Sequence, residues 1–154
     1  MKARTIILTV MVCMVAAAVC FASDPNMGTW KLNEAKSKID PGMPKNTAVV
    51  YEAAGDNVKV TVDGVGPDGK PTHNEWTGAF DGKDYPLAGD PAADMRSYKR
   101  VNDHTLDLTN KKDGKVTTTG RIVVSADGKT RTVNSRSMDS NGKMLRSTAV
   151  YDKQ

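Results

Sequence analysis

The stretch DGKVTTTGRIVVSADGKTRTVNSRSMDSNG, residues 113–142, decides the fold. It contains three turn dipeptides, Asp113-Gly114, Asp127-Gly128 and Asn141-Gly142, each fourteen residues from the next. Asp and Asn tolerate positive φ and Gly adopts it without steric cost. Each pair therefore suits a type I′ hairpin turn, whose twist matches the strands it joins. Between the first two corners, Val116, Thr118, Gly120, Ile122 and Val124 fall on one side, and Lys115, Thr117, Thr119 and Arg121 on the other. A period of two is the signature of a half-buried strand, and strands joined by tight turns make an up-and-down meander.

The same punctuation runs back through the chain. Asp63-Gly64, Asp68-Gly69 and Asp81-Gly82 read as further corners, as do Gly55-Asp56-Asn57, Gly89-Asp90-Pro91 and Asn102-Asp103. Val58, Val60 and Val62 share a face, and Trp76, Gly78 and Phe80 oppose Glu75, Thr77 and Ala79. No window has helical periodicity. Residues 33–37 could form a short turn at most, since Pro41 and Pro44 block extension. The segments predict ten strands, near 28–33, 46–54, 57–63, 71–81, 84–87, 95–101, 104–110, 114–125, 129–138 and 143–152. Sequential hairpins favour closure over a sandwich, and closure removes exposed edges. The expected fold is all-β, a ten-stranded antiparallel up-and-down barrel with little or no helix.

The N-terminus is read separately. Lys2 and Arg4 precede an apolar run from Thr5 to Ala22 that ends in small residues, the layout of a secretory signal peptide. Cleavage after Ala22 would leave 132 residues, 23–154, as a single barrel domain in the periplasm or outside the cell. Lipidation at Cys20 and an uncleaved anchor are the competing routes. Both cysteines, Cys13 and Cys20, lie in the leader, so the remainder cannot form a disulfide. Its formal charge falls from +4 to about +2, which offers little affinity for phosphate backbones and argues against a nucleic-acid partner. No stable membrane span is expected after processing.

Val, Ile, Leu and Phe make up only about 15% of residues 23–154. That is too few to fill a domain of this size, which buries roughly two-thirds of its unfolded surface. Some Thr, Ser, Asn and Arg must therefore face inward, where such groups need partners. The composition predicts a partly polar, hydrated lumen.

The chemistry-bearing residues are sparse. His73 and Glu75 share a strand face, as two metal ligands would, but Trp76 and Phe80 occupy the opposite face, which sends the pair to solvent. His104 reads as loop chemistry. No serine sits in a nucleophile elbow or a Ser-x-x-Lys setting, and the aspartates near 63–68 lack the calcium-loop pattern. No cofactor, metal site or catalytic residue is expected. Arg121, Arg131, Arg136 and Arg146 could form a basic stripe on the C-terminal meander, with solvated strand faces as the plainer account.

At Gly28-Thr29-Trp30-Lys31-Leu32-Asn33 the chain resembles the opening strand of the calycin superfamily, which includes lipocalins and fatty-acid-binding proteins. With Phe80-Asp81-Gly82-Lys83-Asp84-Tyr85-Pro86 and Val150-Tyr151-Asp152-Lys153, it is similar to exported bacterial lipocalin-like proteins, a family that brings a fold and no established activity. The resemblance implies that Trp30 plugs the closed end of the barrel. Tyr151 matches the tyrosine of the fatty-acid carboxylate clamp, but Ala149 stands at the arginine position, so the usual clamp is absent. The sequence thus points to a non-catalytic exported module that holds an unknown small molecule, partly polar or anionic, in a lumen lined by Tyr51, Trp76, Tyr98, Arg121 and Tyr151. The alternative is a protein- or envelope-surface interaction module with an inert core, and an enzyme comes third.

Overall fold

The computed structural model describes residues 24–154, and the anticipated leader, with Cys13 and Cys20, lies outside the described residues. The strands are β1 (Gly28–Leu32), β2 (Lys38–Ile39), β3 (Lys45–Ala54), β4 (Asn57–Val65), β5 (Pro71–Gly78), β6 (Tyr85–Ala88), β7 (Met95–Asn102), β8 (Thr105–Lys112), β9 (Lys115–Val124), β10 (Thr130–Met138) and β11 (Met144–Lys153). From β3 to β11 each strand pairs antiparallel with the next, and β1 joins β3 on one side and β11 on the other. The sheet is therefore a closed antiparallel barrel of ten strands. The eleventh, β2, is two residues long and pairs with the part of β11 just beyond the reach of β1. β1 and β2 act as one edge interrupted by a 3-10 turn at Glu34–Lys36, the only helical piece among the described residues. Asn33 caps that turn by accepting from the Lys36 amide at 3.2 Å.

The corners differ in detail from the sequence reading. Only Asp113-Gly114 has positive φ at both residues, +48° and +76°, as a type I′ turn requires. At Asp68-Gly69, Asp127-Gly128 and Asn141-Gly142 the glycine alone is left-handed, and its amide donates to the carbonyl three residues back within a loop longer than the one at Asp113-Gly114. Those three are type I turns followed by a left-handed glycine, the other common hairpin solution. Asp63-Gly64 is no corner at all. It lies inside β4, where a Cβ on Gly64 would stand 2.4 Å from the Lys45 carbonyl oxygen, beside a bulge in β3. Glycine is needed there for close backbone approach.

Alternation places one set of side chains inside. At the end next to residues 24–27 large side chains fill most of the lumen. Trp30, Tyr51, Trp76, Tyr98, Leu106 and Ile122 are each no more than 3% exposed. Trp76 stacks on Phe80 and meets Tyr98 edge-on at 4.8 Å between ring centroids. Among the described residues, no helix is long and apolar enough to cross a membrane.

Candidate functional site

The other end, ringed by the loops around Met43, Pro67, Pro91 and Ser140, is hollow. A cavity of about 500 Å³ runs from these loops into the barrel. Its wall mixes Ser135, Ser147 and Thr118 with Leu108, Val133 and Ala149, and Asn74, Arg96 and Asn110 form one polar cluster. Both characters follow from strand phase. Asn74 precedes Trp76 by two residues and Arg96 precedes Tyr98 by two, so each polar residue points inward for the same reason as its aromatic neighbour.

Arg96 is 6% exposed. Its Nε donates to Asn110 Oδ1 at 2.8 Å and its Nη1 to Asn74 Oδ1 at 3.3 Å. The Trp76 indole donates to the Arg96 carbonyl at 2.9 Å, fixing the strand beneath it. Arg100 and Arg121 pair with Asp24 and Asp107, whereas Arg96 has no carboxylate partner among the described residues. Two neutral amide oxygens orient the guanidinium and leave its charge uncompensated, a setting that favours an anionic group from a guest.

The residues expected to line the lumen fare differently. Tyr151 is buried at the floor of the cavity, and its hydroxyl donates to the Asn46 carbonyl at 3.1 Å. Tyr51, Trp76 and Tyr98 do point inward, but into the packed half, below the cavity. Trp30 is fully buried in that half, its indole donating to the Asn26 carbonyl at 2.9 Å. Arg121 is a correction. It lies on the outer face, exposed, with Nε 2.7 Å from Asp107 Oδ1. Its strand phase sets it opposite Ile122 and Val124, which are inside. The pair holds the Asp107 carboxyl below its usual range, chiefly through the Arg121 hydrogen bond.

The inward arginines are instead Arg96 and Arg131, which sequence reasoning missed, although alternation with Tyr98 and Val133 marks both. Arg131 also leaves the basic stripe incomplete. Arg121, Arg136 and Arg146 remain outside, around a shallow depression of about 620 Å³, with Arg136 and Arg146 directly opposite across β10 and β11.

His73 and Glu75 face solvent together with Asp63 and Lys59. His73 Nδ1 lies 2.6 Å from Asp63 Oδ1, and that hydrogen bond is the main cause of a raised imidazole pKa. Among the described residues, no group of three or more His, Cys, Asp or Glu side chains is placed to hold a metal ion.

No protein-family model matches the chain, and no curated protein matches it in sequence. Solved structures similar to this chain include two complexes with DFHBI. A redesigned β-barrel, mFAP1, bound to DFHBI is 16% identical with a TM-score of 0.48, over 84% of this chain and 95% of that one. EF1p2_mFAP2b, also bound to DFHBI, is 13% identical with a TM-score of 0.48, over 86% of this chain and 97% of that one.

Proposed function

We propose that the protein is a non-catalytic, exported binding module whose hollow half takes a small, partly polar ligand bearing an anionic group. The carrying observation is Arg96, buried on the cavity wall with two amide acceptors and no carboxylate. The serine and threonine hydroxyls supply further polar contacts, and Leu108, Val133 and Ala149 supply apolar area, the usual mixture in a small-molecule pocket. The signal-like leader supports export, and the periplasm or the cell exterior is the compartment we assign.

The test uses anilinonaphthalene sulfonate and its uncharged parent, anilinonaphthalene, as probes. The protein should prefer the sulfonate, and Arg96→Gln should weaken that probe by about tenfold while leaving the neutral one unchanged. Equal sulfonate affinity in both proteins would remove Arg96 from the site. Native mass spectrometry of protein purified from its own host should show a retained small molecule with acidic character.

A second reading, docking through the exterior, is favoured by the facing Arg136 and Arg146, since like charges directly opposed across strands are unfavourable unless an anion lies between them. Sedimentation with anionic vesicles of phosphatidylglycerol, lost in Arg136→Gln/Arg146→Gln, is its test. Unchanged sedimentation of the double variant rejects it.

A further inference from the structure

Below the cavity, the packed half holds a second buried cation. Arg131 is 3% exposed, and the rings of Trp30, Tyr51 and Tyr151 surround its guanidinium carbon at 5.6, 4.9 and 5.1 Å from their centroids. Ring faces attract the charge but accept no conventional hydrogen bond at the guanidinium edge. Arg131 Nε and Nη1 are buried without a protein hydrogen-bond partner. The Tyr51 hydroxyl, on one of the rings facing this guanidinium, is likewise buried and unpartnered. Two guanidinium N–H groups are thus left unpaired inside an aromatic cage.

The residues around them offer no negative charge. Among the described residues, Arg131 has no carboxylate partner, in contrast to Arg100 and Arg121. Arg131 lies close enough to Tyr51 to oppose part of the upward pKa shift that burial imposes on that phenol. Arg131 is also separate from the cavity wall. The Tyr151 ring stands against the guanidinium, while the Tyr151 hydroxyl is turned to the Asn46 carbonyl. Water would satisfy the N–H groups and leave the charge unanswered, whereas a small anion does both.

We propose that Arg131 forms a deep anion site that takes a single small monoanion of halide size, held by its Nε and Nη1 within the cage of Trp30, Tyr51 and Tyr151. The site concerns the packed half and does not depend on what occupies the cavity.

Bromide replaces chloride and scatters anomalously, so crystals of the protein soaked in sodium bromide give the direct answer. An anomalous peak within hydrogen-bonding reach of Arg131 Nε or Nη1 is expected. The absence of such a peak, or a water there that bromide does not displace, overturns the proposal. In solution at fixed ionic strength, replacing gluconate by chloride should raise the thermal midpoint by about 3 °C. Arg131→Met and Arg131→Lys should lose that rise, and Arg121→Gln should keep it. A rise that survives in both Arg131 variants also overturns the site. Should neither variant fold, the bromide peak in the unaltered protein still decides. Sulfonate-probe binding, measured in chloride-free buffer, reports on the cavity alone, so failure of either site is recognised separately.

Discussion

The two ends of this barrel are built from the same strands under the same alternation, yet one is largely filled and the other hollow. Along β11 the inward positions run from Tyr151 through Ala149 and Ser147 to Leu145, and along β9 from Val124 and Ile122 through Gly120 to Thr118. Small side chains, Ala149 and Ser147 on β11 and Gly120 on β9, follow the bulky Tyr151 and Ile122 and leave the lumen unfilled at that level. What remains is a cavity of about 500 Å³ above an aromatic floor. The difference teaches that strand phase decides which residues enter the lumen, and residue size decides whether the lumen is a core or a site.

The sharpest test of that contrast is a pair of truncations. Trp30→Ala removes a fully buried indole, its hydrogen bond to the Asn26 carbonyl and one ring of the Arg131 cage, and should cost about 3–5 kcal/mol. Ser147→Ala, on the cavity wall, should stay within about 1 kcal/mol. Urea denaturation followed by tryptophan fluorescence measures both. Similar costs at the two ends would mean that the hollow half carries stability as the packed half does, and the distinction would fail.

Alkali should attack the packed half first. Burial raises the phenol pKa of both Tyr51 and Tyr151 in the folded protein, with Arg131 opposing the shift at each. A raised folded-state pKa means that the native protein holds protons which the unfolded chain, titrating near pH 10, releases sooner. The stability from these two phenols is present below about pH 10 and is lost as the pH climbs towards their folded values, at up to about 1.4 kcal/mol per pH unit for each group. Tyr51→Phe removes a hydroxyl that has no protein partner. It should leave stability at pH 7 nearly unchanged and make the alkaline decline shallower. An unaltered slope in that variant would show that the Tyr51 phenol does not carry the decline.

Much of the architecture is legible in the amino-acid sequence. Asp-Gly and Asn-Gly pairs announce hairpins because few other dipeptides accept the required φ angles, and the valines of β4 announce a strand through their period of two. Local chemistry stops short of turn geometry, however. Asp63-Gly64 has the composition of a corner, and only the neighbouring bulge in β3 explains a glycine within a strand. Nor does composition reveal how deep a residue lies. Trp76 and Tyr98 face inward, but their depth below the cavity depends on strand stagger, which no single strand encodes. The scarcity of apolar residues foretold polar groups in the lumen without saying which. Arg96 and Arg131 were identifiable in principle, as each lies two residues from an inward-facing neighbour.

Arg121 supplies the smallest and most discriminating effect, because it has the same side chain as Arg96 in the opposite phase. The outer arginine has its aspartate and is open to solvent, so water and salt screen the pair. Arg121→Gln should lower the unfolding midpoint slightly in dilute buffer and not measurably in 1 M salt, and sulfonate-probe affinity should be unchanged. The inner arginine has amides in place of a carboxylate and sits where salt screens poorly. A substitution there should register in binding at every ionic strength. If Arg121→Gln weakened the probe as much as Arg96→Gln, anion affinity would reside in the general positive field of the barrel wall, and strand phase would no longer tell the site from the surface.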